Sequence, residues 1–177
     1  MSKPPDSLQQ SAAGIQLLAL DVDGVLTDGK LYFGTTGEAM KSFSTLDGLG
    51  IKMLQRSGIE VVVITARQSS IVKQRAAELG IDAVLQGRED KCAALAELLA
   101  ERQLSMDQAA YVGDDLPDLA AICSAGLGIA PANANAAVRE RADWVTQQQG
   151  GAGAVREVAE LILQAQEKLD ALIASYQ

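Results

Sequence analysis

The sequence predicts a three-layer α/β sandwich of Rossmann-like type, with a central parallel sheet, a small β-hairpin flap and no large cap domain. Short apolar runs of strand length alternate with helix-length segments from residue 15 onward. The runs are built of Val, Ile, Leu and Ala, as strands buried on both faces are. A single hairpin-like stretch is all that separates the first apolar run from the first helix after it.

Taken in order, residues 1–13 are expected to be a flexible tail, and residues 14–177 a single domain. Ile15–Leu20 is a buried strand that stops abruptly at Asp21. Lys30–Phe33 and Glu38–Phe43 flank Gly34-Thr-Thr-Gly37 and read as a hairpin, giving a flap over about 29–44. Asp47 is the expected cap of a helix that runs to Arg56 and ends at Ser57-Gly58. Glu60–Ile64 is a β-branched strand, Ser69–Leu79 a helix stopped by Gly80, and Ala83–Leu85 a short strand. A helix follows from Asp90 to Arg102, then strand Ala109–Val112, helix Leu116–Ser124 and strand Gly126–Ala130. Asn135–Arg141 is a short helix and Trp144-Val145 a last short strand. Gly150–Gly153 reads as a flexible break before one long closing helix, Val155–Ile173.

Composition narrows the chemistry. With 177 residues the chain can bury one sizeable core, and with only 3% aromatics that core must be aliphatic. A net charge of −8 with no Lys/Arg cluster argues against nucleic acid and acidic membranes as partners. The absence of histidine excludes His nucleophiles, His general bases and His metal sites. Cys92 and Cys123 read as small hydrophobes in a reducing compartment. Met1–Gln10 is polar, and no apolar run approaches the roughly 20 residues of a membrane span. A cytoplasmic protein is expected.

In open parallel sheets ligands bind at the carboxyl ends of the strands, so the residues just after each strand matter most. After the first strand comes Asp21-Val-Asp23-Gly-Val-Leu-Thr-Asp28, and after the second Thr65-Ala-Arg67. Lys91 opens the helix after the third, and Gly113-Asp114-Asp115-Leu-Pro-Asp118 follows the fourth. Together these suit phosphoryl transfer to a carboxylate. Asp21 can act as nucleophile and form an acyl phosphate. Repulsion from a phosphate dianion calls for a hard cation, and Mg²⁺ held by Asp21 and Asp114 suits that role. Lys91 and the Thr65 hydroxyl can hold phosphate oxygens, and Asp23 can protonate the leaving group and then activate water. Taken singly, each residue has a plain structural reading as a cap, a turn or a solvated charge. The ordered set on one sheet edge is what argues for chemistry.

The same motifs resemble the four signature motifs of the haloacid dehalogenase superfamily in its phosphatase form, across about residues 14–170. Three further stretches are similar to 3-deoxy-D-manno-octulosonate (KDO) 8-phosphate phosphatases: Asp28-Gly-Lys-Leu-Tyr-Phe-Gly, Phe43-Ser-Thr-Leu-Asp47-Gly-Leu-Gly-Ile-Lys52 and Gly150-Gly-Ala-Gly-Ala-Val-Arg-Glu-Val. That resemblance implies hydrolysis of KDO 8-phosphate for lipopolysaccharide synthesis by a homotetramer whose neighbours complete the active site. It also implies that the Asp23 backbone carbonyl ligates Mg²⁺, and that Asp115 and Asp118 orient Lys91 or metal-bound waters. Sugar-acid binding maps onto Asp23, Ser44, Thr45, Leu46, Asp47, Gly48, Lys52, Arg67, Arg75 and Lys91. Ala66, Lys52 and Ser44 depart from the residues that are common there, Gly, Arg and Asn.

Two other readings compete. One is a phosphatase for a nine-carbon, sialic-acid-type 9-phosphate. The other is a non-catalytic oligomerisation module, against which the complete set Asp21, Asp23, Thr65, Lys91 and Asp114 argues. The hairpin carries Leu31, Tyr32, Phe33, Met40 and Phe43, which is too apolar for a solvated flap. It should be buried against neighbouring subunits or folded back on its own domain.

Overall fold

The computed structural model describes residues 6–176. Strand β1 (Leu17–Leu20) is followed by the hairpin strands β2 (Tyr32–Gly34) and β3 (Gly37–Met40). Helix α2 (Thr45–Arg56) and strand β4 (Glu60–Thr65) come next, then α3 (Ser70–Leu79), β5 (Val84–Gln86) and α4 (Lys91–Glu101). The chain continues through β6 (Ala109–Val112), α5 (Leu119–Ser124), β7 (Leu127–Ala130), α6 (Ala136–Arg139) and β8 (Trp144–Val145), and ends in α7 (Ala154–Ala165) and α8 (Leu169–Ala174).

Six strands form one sheet in the order β5-β4-β1-β6-β7-β8, every neighbouring pair parallel. Side chains alternate across it, as the period of two requires. Leu18, Leu20, Val61, Val63, Val112 and Ile129 face α2, α3 and α7. Leu17, Ala19, Val62, Ile64 and Tyr111 face α4 and α5. Successive connections lead from β1 outward to β4 and β5, then return to β6 on its other side. The topological switch point therefore lies between β1 and β6, where the chain opens a crevice at the strands' carboxyl ends. Among the described residues no helix is long and apolar enough to cross a membrane.

Four local expectations need correction. The tail expected over residues 1–13 contains helix α1 (Asp6–Ala13), while residues 1–5 lie outside the described residues. Leu8 and Ala12, one helical turn apart, are buried where α1 packs on α7. The cap of α2 is Ser44, whose hydroxyl accepts from Leu46 N at 3.2 Å, so Asp47 lies inside the first turn. The Gly150–Gly153 break is packed, with Gly151 N donating to Val25 O at 2.9 Å and Gly150 N to Asn133 Oδ1 at 2.9 Å. The closing helix is two helices. Glu167 adopts φ 57, and Lys168 N donates back to Leu163 O at 2.8 Å, closing α7 with a Schellman turn.

Candidate active site

Asp21 follows β1 directly, and its N–H donates to Val112 O of β6 at 3.0 Å, extending the ladder to the switch point. Asp114 follows β6, and its carboxylate packs so closely on Gly24 that a Cβ there would lie 2.1 Å from Asp114 Oδ2. Gly24 also adopts φ 95, so side-chain bulk and backbone strain both favour glycine. Gly113 plays the matching part below: a Cβ there would lie 2.3 Å from Asp118 Cβ. The bare glycine lets Asp118 fold back beneath the loop.

Asp118 is the hub of this arrangement, with four donors converging on its buried carboxylate. Lys91 Nζ (2.6 Å) and Tyr111 OH (2.8 Å) donate to Oδ1, and the N–H groups of Asp114 (3.1 Å) and Asp115 (3.3 Å) to Oδ2. Lys91 Nζ also reaches Asp21 Oδ1 at 3.0 Å. Asp115 points elsewhere: its Oδ1 accepts from Leu116 N and Asn135 Nδ2. Of the two carboxylates expected to orient Lys91 or metal-bound waters, Asp118 is the one that touches Lys91.

Carboxyl oxygens of Asp21, Asp114 and Asp118 lie within 4.8 Å of one another. Burial, reinforced by the charge of Asp118, raises Asp21 from its ordinary value to about 6 against the pull of Lys91. Burial and then the charges of Asp21, Asp118 and Asp115 raise Asp114 to about 7. Burial opposes the charge on Lys91, but Asp21 and Asp118 outweigh it and hold the ammonium above its usual range. Burial and Asp118 push the Tyr111 phenol up as well, so it stays a donor. Crowded hard oxygens of one charge, with Asp118 already saturated, leave Asp21 and Asp114 as the pair suited to an oxygen-loving divalent cation. Mg²⁺ fits that donor set.

Thr65 ends β4, buried, with its Oγ1 accepting from Arg67 N at 3.4 Å. Arg67 reaches back to the site: its Nε lies 3.5 Å from Asp23 Oδ2, and its Nη2 3.9 Å from Glu38 Oε1. Two hairpin residues that sequence reasoning missed complete this side. Lys41 Nζ is 2.5 Å from Asp23 Oδ1 and 3.1 Å from Glu38 Oε1, and the Ser69 hydroxyl donates to Glu38 Oε2. No motif marks them, because their part depends on where the hairpin folds.

The other residues mapped to sugar binding find their contacts outside the Asp21–Lys91–Asp118 group. Thr45 and Leu46 are exposed in the first turn of α2. Ser44, Asp47, Gly48 and Arg75 line an apolar recess of about 10 Å³, room for no more than one water. Asp47 binds the start of α7, accepting from Arg156 N at 2.9 Å and Gly153 N at 3.3 Å. Arg75 lies over the Phe43 ring at 5.8 Å and beside Glu78 at 3.4 Å. Lys52 extends toward Gly80 at the far end of α3, where an added Cβ would lie 3.2 Å from its Nζ.

Comparison with known proteins gives three results. Residues 84–158 match the family described as haloacid dehalogenase-like hydrolase. The chain is 47% identical over 165 residues to 3-deoxy-D-manno-octulosonate 8-phosphate phosphatase KdsC of Yersinia pestis, covering 93% of this chain and 88% of that one. Two solved structures superpose closely. A probable YrbI family phosphatase from Pseudomonas syringae has a TM-score of 0.95 at 53% identity, covering 97% of this chain and 98% of that one. A 3-deoxy-D-manno-octulosonate 8-phosphate phosphatase from Moraxella catarrhalis, in complex with magnesium ion, phosphate ion and KDO, has a TM-score of 0.96 at 45% identity, covering 98% of this chain and all of that one.

Proposed function

Because the chain belongs to the haloacid dehalogenase-like hydrolases, in the branch of the 3-deoxy-D-manno-octulosonate 8-phosphate phosphatases, we propose that it hydrolyses KDO 8-phosphate to KDO and inorganic phosphate, with Mg²⁺ as cofactor. The reaction belongs to lipopolysaccharide synthesis in the cytoplasm. The observation that carries the residue roles is the Asp21–Lys91–Asp118 chain beside Asp114, at the switch point of the sheet.

Asp21 is the nucleophile. Its carboxylate attacks phosphorus, an aspartyl phosphate forms, and the bond from phosphorus to the sugar oxygen breaks. The leaving oxygen takes a proton from the Asp23 carboxyl group. Asp23, now a carboxylate, removes a proton from the water that attacks the acyl phosphate, which releases phosphate and restores Asp21. Lys91, held by Asp118, and the Thr65 hydroxyl bind the phosphoryl oxygens as charge shifts among them. Asp21, Asp114 and the Asp23 backbone carbonyl would hold Mg²⁺, which when bound offsets the repulsion between nucleophile and phosphate. Arg67, beside Asp23, is placed to read the sugar acid's own carboxylate.

The assembly is a homotetramer. Phe33 is 66% exposed and Met40 55%, with Leu31 beside them, an apolar edge suited to cover by a neighbouring hairpin. A neighbour is also the means by which Ser44–Gly48, Lys52 and Arg75 would meet a substrate bound at Asp21. The test is a phosphatase assay across sugar phosphates with Mg²⁺. The wild type should favour KDO 8-phosphate, and Asp21→Asn should stay folded yet lose turnover. Near wild-type turnover by Asp21→Asn would refute the mechanism, and preference for a nine-carbon acid phosphate would refute the substrate.

A further inference from the structure

Asp23 has two tasks in the proposed reaction, and both need one of its oxygens aimed at the leaving group. It lies in a loop, and its side chain is 20% exposed. Without restraint such a carboxylate would sample several rotamers. The structure restrains it from the hairpin. The Lys41 side chain is 1% exposed, and its Nζ donates to Asp23 Oδ1 at 2.5 Å. The same ammonium faces Glu38 Oε1 at 3.1 Å, an oxygen that has no hydrogen-bond donor of its own. The other Glu38 oxygen accepts from the hydroxyl of Ser69, which also caps α3 by accepting from Val72 N at 3.4 Å. The chain Ser69–Glu38–Lys41–Asp23 thus runs from the start of α3, through the flap, to the acid/base carboxyl group.

We propose that Lys41 is a positioning residue for Asp23, holding Oδ1 so that Oδ2 presents the proton to the leaving oxygen. An ammonium can only donate, so it keeps the same hydrogen bond whether Oδ2 carries a proton or not. The contact therefore survives both halves of the reaction, while the proton moves at the other oxygen. Glu38 balances the buried ammonium, and Ser69 fixes Glu38 to a helix terminus, so the clamp rests on rigid structure. The flap is in this way part of the catalytic apparatus of its own chain, besides presenting an apolar edge.

The inference rests on the role given to Asp23, and a comparison of leaving groups separates the two. KDO 8-phosphate releases an alkoxide that needs the proton, whereas 2,4-dinitrophenyl phosphate releases a stable phenolate that does not. Lys41→Met should lower kcat/KM, which reports the step that expels the leaving group and not the shared hydrolysis of the aspartyl phosphate, roughly tenfold or more further on KDO 8-phosphate than on the dinitrophenyl ester. Lys41→Arg should recover part of that difference. Lys41→Gln, which keeps a neutral donor, carries the same comparison should Lys41→Met not fold. Equal losses on both esters, or no loss on either, would overturn the positioning role. Asp23→Asn, measured alongside, should discriminate more strongly still. If it does and the Lys41 variants do not, only the inference about Lys41 fails. If Asp23→Asn does not discriminate, the assignment of Asp23 as acid/base fails.

Discussion

Asp118 holds Lys91 at 2.6 Å, and every other partner of that carboxylate is also a donor. An amide in its place would turn an NH₂ group toward either Lys91 and Tyr111 or two backbone N–H groups. Asp118→Asn should therefore displace Lys91 while preserving volume, and kcat should fall about 10²-fold, the scale of losing one electrostatic stabiliser. Tyr111→Phe removes one hydrogen bond of the four and should cost about 1 kcal/mol of stability. Steady-state kinetics and thermal melts decide, and an Asp118→Asn enzyme within twofold of wild type would contradict the hub.

The raised carboxyl groups give a pH signature for the metal. The ordinary Asp value is 3.8, whereas burial and neighbouring carboxylates push Asp21 up to about 6 and Asp114 up to about 7. Between those values the folded state binds more protons than the unfolded one, so the contribution of these groups falls as pH rises. It is fully present below about 4 and lost as pH passes through 6 and 7. Mg²⁺ must displace those protons, so it should bind weakly at pH 5 and tightly at pH 8. The gain in Tm on adding Mg²⁺ should be larger at pH 8, and calorimetry at pH 6.5 should detect proton release. An equal Tm gain at both pH values would count against Asp21 and Asp114 as ligands.

Asp47 makes a different prediction from the one its place in the resemblance suggests. The N-cap of helix α7 is Gly153, which has no side chain to accept from the first turn, and Asp47 supplies the missing acceptor from α2. Losing a cap costs about 0.5–2 kcal/mol. Asp47→Ala should accordingly lower Tm by about 2–4 °C per kcal/mol lost. A large rise in KM with Tm unchanged would instead assign Asp47 to substrate.

These cases mark what the sequence made legible. Buried parallel strands announce themselves as uninterrupted apolar runs, so the sheet and its carboxyl edge could be read. Asp21, Thr65 and Asp114 came with them, because their positions are fixed by strand ends. Lys91 came too, as the first residue of a helix. Contacts between distant segments carry no local signal, which hid Lys41 against Asp23, Glu38 against Ser69 and Asp47 against α7. Helix α1 was hidden by a polar stretch in which only Leu8 and Ala12 mark an apolar face. The break after Ala165 was hidden because Glu167 holds a left-handed position usually given to glycine.

The hairpin tests the assembly. Phe43 folds back on the core beside Arg75, but Phe33, Met40 and Leu31 stay exposed. Light scattering of the wild type at micromolar concentration should give the mass of a tetramer. Phe33→Glu should shift it toward monomer, since an unpaired buried carboxylate at an interface is strongly unfavourable. A monomeric wild type would dismiss the tetramer.

Arg67 carries the sharpest claim about substrate. Its side chain is 44% exposed, and its contacts with Asp23 and Glu38, at 3.5 and 3.9 Å, are long and open to solvent. Such pairs add little to stability, on the order of 0–1 kcal/mol, so Arg67→Ala should melt close to wild type. A guanidinium held loosely at the rim can instead turn toward an incoming carboxylate and bind it with paired hydrogen bonds. Hydrogen bonds to a charged group are worth about 1.5–3 kcal/mol, or roughly 10–100-fold in kcat/KM. Arg67→Ala should thus erase most of the preference for KDO 8-phosphate over glucose 6-phosphate, which has no carboxylate. Hydrolysis of p-nitrophenyl phosphate, which offers Arg67 nothing to read, should survive. If the variant keeps its discrimination between the two sugar phosphates, the carboxylate is read by another residue, and Arg75 becomes the next to test.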